Sequence, residues 1–457
     1  MLRTGMIFLF VLFAAGCGSS GSSDQGGNPP DQPPDQSDAG PGTADAAPEP
    51  QRGAAGSLDT TFGTNGRLMD FGMLSPANVL VSADDHILVV GVCSGAPSPD
   101  DSFVPNDGCI VRLTPDGAVD TTYGNDGIVL MGEEALATPS DAVLLPGGRI
   151  GVVGTTRHNL GKNSYTEIWY DIVDVNGATR QMDSQSSGPS IVLAPDGSLI
   201  LTQTTDLLIN KLTNTGEIDT GPGSMTSANL DATFAFSCPA GFSFSVQNVA
   251  GVVVRPDGRI VIGGSWSCYN NSSGFEYHGY GIWQLDGSTG APDPSFGWNA
   301  EVTVAGTSVD YDGGPGLLAL LEDGRIIAPI RYNDSANYSI LAYTDSGPDI
   351  TFGMTGDLYV TSNNGFPRIF LDNQNRLLVT RGTDGLVLES VSRVTAAGAF
   401  DPAFGTGGNA ILSLPAGLSS SSGSVAARVQ KDGRIVVLSQ ATKDDGSTVA
   451  VVSRLWN

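Results

Sequence analysis

From residue 56 to residue 457 the chain alternates short apolar runs with polar turns and contains no useful stretch of helical periodicity. One pattern recurs seven times: an apolar run, a polar turn and a second apolar run. Its copies are ANVLVSADDHILVVG (77–91), DAVLLPGGRIGVVG (141–154), SIVLAPDGSLILTQ (190–203), AGVVVRPDGRIVIGG (250–264), GLLALLEDGRIIAPI (316–330), RIFLDNQNRLLVT (368–380) and VAARVQKDGRIVVLS (425–439). Asp-Gly and Asn-type turns between such runs are hairpin signals. Counted at the residue opening the second run (His86, Arg149, Ser198, Arg259, Arg325, Arg376, Arg434), the spacings are 63, 49, 61, 66, 51 and 58, with a mean of 58.

A second marker keeps the same period. LDTTFGTNG (58–66), VDTTYGNDG (119–127), LDATF (230–234), PDPSFG (292–297), PDITFG (348–353) and FDPAFGTGG (400–408) place aromatics at Phe62, Tyr123, Phe234, Phe296, Phe352 and Phe404. Met182 stands where the remaining copy has its aromatic. Between hairpin and marker lies a third strand, as in CIVRLTPDG (109–117), and after the marker a short fourth, as in GIVLM (127–131). Seven such units predict an all-β fold, a seven-bladed β-propeller of four-stranded blades. VAVVSRLWN (449–457) reads as a third strand without turn or marker, and GSLDTTFGTNGRLMD (56–70) is the missing remainder. The N-terminal strand is therefore expected to complete the C-terminal blade and leave no open edge.

LD-x-T-F-G-x-x-G followed by PDG-R-I-V-V-x-G resembles the delta-60 repeat family, bacterial propellers of secreted and surface proteins. The resemblance covers 56–457 and implies the propeller fold, with no catalytic residues to carry over. The hairpin is also similar to that of NHL propellers. That likeness implies that the strand before the Asp-Gly turn is innermost, and that the loops from second to third and from fourth to inner strands share the ligand face.

Residues 1–16 form a leader, with Arg3, an apolar run from Met6 to Ala15 and small residues before Cys17. The run is short for a membrane span and reads as a secretory signal. Its ending resembles the lipobox of bacterial lipoproteins, which implies lipidation at Cys17, an outer-membrane or cell-surface location and membrane contact through the anchor alone. Residues 17–55 continue as a Gly/Ser/Pro-rich tether in which 18–55 contain no aromatic, Leu, Ile or Val. Such a segment cannot bury enough apolar surface to offset chain entropy. Residues 56–457 form the single propeller domain.

Composition sharpens this picture. The 61 Gly and 27 Pro are about 19% of the chain, and they are accounted for by the tether and the recurring turns. The 48 acidic residues outnumber 22 basic ones, giving a net charge of −26. Nucleic acid is excluded as a partner, because phosphate binding needs clustered Lys and Arg.

Apart from Cys17 there are four cysteines, Cys93, Cys109, Cys238 and Cys268, an even number in an exported chain. Four allow three pairings. The positions within the blades favour Cys93 with Cys109 and Cys238 with Cys268. No CxxC or Cys/His cluster points to zinc, and His86, His158 and His278 fall in different repeats without metal spacing. No GxSxG elbow, phosphate loop or dinucleotide pattern occurs. No cofactor is expected; VDYDGG (309–314) is the best local cluster for calcium but lacks the ligand ladder ending in a bidentate Glu.

The largest departure from the repeat is SWSCYNNSSGFEYHGY (265–280), read as a loop carrying Trp266, Tyr269, Phe275, Tyr277, His278 and Tyr280. Aromatics among Asn and Ser suit stacking on sugar rings or anchoring a protein, while packing on one another at the blade edge is the structural alternative. On the binding reading, Tyr277 and Tyr280 could be replaced by Ala without moving the thermal transition. The sequence thus leads to a monomeric, non-enzymatic binding or scaffold propeller for a protein or glycan. The alternative is a secreted enzyme acting on sugars or lactones at the central channel.

Overall fold

One backbone requirement explains why the Asp-Gly or Asn turn recurs. In every hairpin between inner and second strand, the residue two before the second strand is left-handed: Asp85 (φ 65), Gly148 (79), Gly197 (85), Gly258 (90), Gly324 (88), Asn375 (58) and Gly433 (90). The turn closes in the same way each time, as where Gly258 N donates to Arg255 O and Arg255 N to Arg259 O, at 2.9 and 2.8 Å. This is a three-residue loop whose last position needs positive φ, which Gly supplies without strain and Asn or Asp tolerates.

The computed structural model describes residues 52–94, 107–131, 137–160, 163–174, 190–203, 208–217, 227–229, 238, 240–270, 272, 276–293, 296, 302–305, 317–331, 337–362, 367–382 and 387–457. The leader, Cys17 and the tether up to residue 51 lie outside them, as do Met182, Phe234, Phe275 and VDYDGG (309–314). No helix among the described residues is long and apolar enough to cross a membrane.

The strands form seven antiparallel sheets, the blades of a β-propeller. Their inner strands are Met73–Val81, Ala137–Leu144, Ser190–Leu193, Ser243–Val254, Ala319–Leu320, Arg368–Leu371 and Leu418–Val429. Each runs antiparallel to a second strand, which pairs with a third, so the chain zigzags outward. In the second blade three strands are described, and the segment that would supply the fourth lies outside the described residues. The seventh blade takes its outer strand from the N-terminal side: Arg67, Leu68 and Met69 pair with Ser453, Val452 and Val451. Residues ahead of that strand bind the same blade, with Gly56 N donating to Trp456 O and Trp456 N to Ser57 O, at 2.7 and 3.0 Å. The expected closure is observed.

Apolar faces of neighbouring blades make the core. The marker aromatics Phe62, Tyr123, Phe352 and Phe404 are buried there. Both disulfides form as expected, Cys93–Cys109 and Cys238–Cys268, with Cα atoms 5.8 and 5.7 Å apart. They suit an oxidising compartment.

The marker aspartate has a repeated structural task. Asp120 Oδ1 accepts from Thr122 N and Oγ1 at 3.0 and 2.6 Å, which ties the turn, while Oδ2 accepts from Arg112 Nε at 2.7 Å. The Arg112 guanidinium then lies 4.5 Å over the Tyr123 ring. The arrangement recurs with Asp401, Arg393 and Phe404, and with Asp59, Arg454 and Phe62 at the closure. The arginine opening the second strand joins from another side, as where Arg325 Nη1 lies 3.0 Å from Asp349 Oδ2. His86 holds that place in the first blade, its Nε2 3.4 Å from Asp120 Oδ2. The Thr122 hydroxyl, followed by its backbone amide and Arg112, holds the Asp120 carboxyl below the usual range, and Thr351 with Arg325 does the same for Asp349.

Two expectations follow. Asp59 and Arg454 are 0% and 1% exposed, so Asp59→Ala removes the buried partner of the guanidinium in the closing blade and leaves it only the exposed Asp116, 3.6 Å away. It should cost about 3–5 kcal/mol in chemical denaturation. Glu389, in the sixth blade, is fully buried against the closing blade: its Oε1 accepts from Ser439 Oγ at 3.2 Å, while Oε2 has no hydrogen-bond partner. Burial pushes its carboxyl up to about 7, opposed by Ser453, Arg67 and Ser439. The folded state therefore keeps a proton that the unfolded chain releases, and stability falls as pH rises from the ordinary glutamate range to about 7. Glu389→Gln removes this titration and should raise stability at pH 8 by up to roughly 3 kcal/mol, with little gain at pH 4, read by urea melts at both pH values.

Candidate functional site

The seven inner strands converge on a central cavity of about 460 Å³. Most residues lining it are aliphatic, including Val143, Val192, Val253 and Leu317, with Phe370, Ser190, Asp141 and Arg428 among them. A β-bulge recurs on the inner strands at Pro76/Asn78, Pro139/Asp141, Val249/Gly251 and Ser424/Ala426. Bulges re-aim the side chains that follow them. Here the first residue after the bulge is Asn78 in one blade and Asp141 in the next.

These two polar residues are locked together. Asp141 Oδ1 accepts from Asn78 Nδ2 and from Ala142 N, both at 2.8 Å, and Oδ2 accepts from Ile191 N at 3.1 Å. One carboxylate thus stitches three successive blades. Arg428, from the seventh blade, donates through Nη2 to Asn78 Oδ1 at 3.2 Å and through Nη1 to Ala427 O at 2.8 Å. Its guanidinium lies 4.8 Å over the Phe370 ring of the sixth blade. Burial pushes the Asp141 carboxyl up to about 6, against the pull of the Ile191 and Ala142 amides and of Arg428. Burial also lowers Arg428 to about 10, with Asp141 opposing the change.

This cluster is absent from the sequence expectations, although a signal for it exists. Aligned six residues before the residue that opens the second strand, the repeats carry Leu80, Val143, Val192, Val253, Ala319, Phe370 and Arg428. One charge in an apolar column marks a position that is not merely core.

The aromatic segment is different from its expectation. Residues 265–280 are mostly not a loop: strands Ile260–Tyr269 and Glu276–Leu285 pair from Ile260↔Leu285 to Tyr269↔Glu276, a longer hairpin than in the other blades except the second. Trp266 and Tyr280 are buried. The Trp266 indole packs near Phe244, with ring centroids 6.3 Å apart, and lies over Gly279, where a Cβ would fall 2.3 Å from the ring. These two aromatics are pieces of the core because both faces of this hairpin are covered: Trp266 pairs with Gly279 and Tyr280 with Ser265, so they point to opposite faces, and each joins a different apolar cluster. Tyr269, at the end of its strand, is 40% exposed. Tyr277 and His278 stand opposite Cys268 and Ser267 on the third strand, and Phe275 lies outside the described residues. Most loops between second and third strands, which the NHL likeness assigns to the ligand face, also lie outside them. Among the described residues no group of three or more His, Cys, Asp and Glu side chains is placed to hold a metal ion.

The packing reverses one expectation about replacements. Tyr280→Ala opens a cavity in the fourth blade and should lower stability by about 3–5 kcal/mol. Tyr269→Ala should stay within roughly 0.5 kcal/mol. Thermal denaturation of the two variants side by side makes the comparison.

A family model described as a domain of unknown function (DUF5122) β-propeller matches residues 83–123, part of one repeat. No curated protein matches the chain. Among solved structures, the polysaccharide lyase Uly1 is 12% identical, covering 86% of this chain and 92% of its own, with a TM-score of 0.46. A putative gluconolactonase is 13% identical over 70% of this chain and 91% of its own, with a TM-score of 0.33. The α-L-arabinofuranosidase Arb93A from Fusarium graminearum is 11% identical over 89% and 98%, with a TM-score of 0.38. With the family match and the seven observed sheets together, the chain is a β-propeller.

Proposed function

We propose that this protein is an exported, lipid-anchored propeller that works by binding: a monomeric, non-enzymatic module for a protein or glycan partner at its loop face. One observation carries the reading. The acid in the central cavity, Asp141, is engaged by Asn78 and two backbone amides. The marker carboxylates are likewise engaged, in turns and arginine pairs. The apolar leader, Cys17 and the long polar tether support anchoring at the outer membrane or cell surface.

The second reading, an enzyme acting on sugars or lactones in the channel, draws on the same Asp141. Its carboxyl, pushed up to about 6, has the proton affinity of a general acid. Against it stands the absence of a free oxygen on that carboxylate. A panel of glycosides and lactones separates the two: no turnover is expected beyond that of Asp141→Asn, and turnover abolished by Asp141→Asn would establish the enzyme. Anchoring is read by fractionation, in which Cys17→Ser should move the protein from the membrane to the soluble fraction.

A further inference from the structure

The central cavity holds an arginine that no carboxylate engages by hydrogen bond, although the charge of Asp141 acts on it. Arg428 makes its two hydrogen bonds to neutral oxygens, Asn78 Oδ1 and Ala427 O, and rests its face on Phe370. A guanidinium has five N–H donors, so three remain for other acceptors. The acid in the same wall, Asp141, directs its oxygens at Asn78, Ala142 and Ile191 instead. Arg428 is thus fixed in orientation before any ligand arrives, in an open cavity of about 460 Å³. That volume falls within the range of small-molecule sites, which pair an apolar lining with a few oriented polar groups.

We infer that the central cavity binds a compact monocarboxylate with an apolar body, its carboxylate on Arg428 and its body along Val143, Val192, Val253 and Leu317. One planar guanidinium matches one carboxylate, in two parallel hydrogen bonds. A phosphate dianion brings a second charge, which an aliphatic wall would leave unpaired. This site is separate from the loop face and does not rest on a partner there.

The test uses isothermal titration calorimetry on the purified full-length protein with three probes: octanoate, octan-1-ol as the same body without the charge, and inorganic phosphate as charge without the body. Octanoate should bind near one-to-one, octan-1-ol at least tenfold more weakly, and phosphate not measurably. Arg428→Met should erase the preference for octanoate over octan-1-ol. Because Arg428 also contacts Asn78 and Phe370, Val253→Trp serves as a second variant: it leaves Arg428 untouched, fills the cavity from another blade and should abolish binding of both octyl probes. Failure of octanoate to bind the wild type overturns the inference. So does octanoate affinity unchanged in both variants, or phosphate binding as tight as octanoate.

Discussion

A ring of sheets is stable only when its last sheet is completed, because an unfinished blade exposes a row of unpaired backbone groups. The pairing of Arg67, Leu68 and Met69 with the strand Thr448–Leu455 is therefore the contact on which the other six blades depend. It joins parts of the chain almost 400 residues apart, and a buried ion pair lies beside it. Asp59 and Arg454, nearly without exposed surface, lock the incoming segment to the final strand, and Phe62 lies under the guanidinium.

The same set of parts recurs around the ring and gives many of its aspartates a structural task. An aspartate that ties its own turn with one oxygen and takes an arginine on the other stabilises a loop and a blade edge together. Where a blade lacks one part, another side chain fills the place: Gln284 Nε2 donates to Asp293 Oδ2 at 2.7 Å, and His86 stands in for an arginine. These acids carry structural load, so their number is no guide to catalysis. The functional question moves to the polar side chains outside the scheme, of which Asn78, Asp141 and Arg428 lie on inner strands.

Much of this was legible in the chain because hairpins are local. The left-handed residue before each second strand demands Gly, Asn or Asp, and that demand is visible as a period. Cys93 and Cys109 lie within one hairpin, so their pairing could be argued from strand positions. The aromatic segment was harder. Trp266, Tyr269 and Tyr280 look alike in a string of aromatics, yet two are buried and one is exposed, since the faces of a strand are assigned only once its register is known.

The sequence by itself determined the number of blades, the order of strands and the way the ring closes, all of which follow from short-range turn chemistry and repetition. Only the tertiary structure decided what the inner strands surround. Asn78, Asp141 and Arg428 come from three repeats, and Arg428 is separated from Asn78 by 350 residues. Nothing local links them; bulges and ring geometry bring them to one wall, and there a single arginine faces an aliphatic cavity. Side chains that meet across a closed ring are set by the curvature of the whole, which no one repeat encodes.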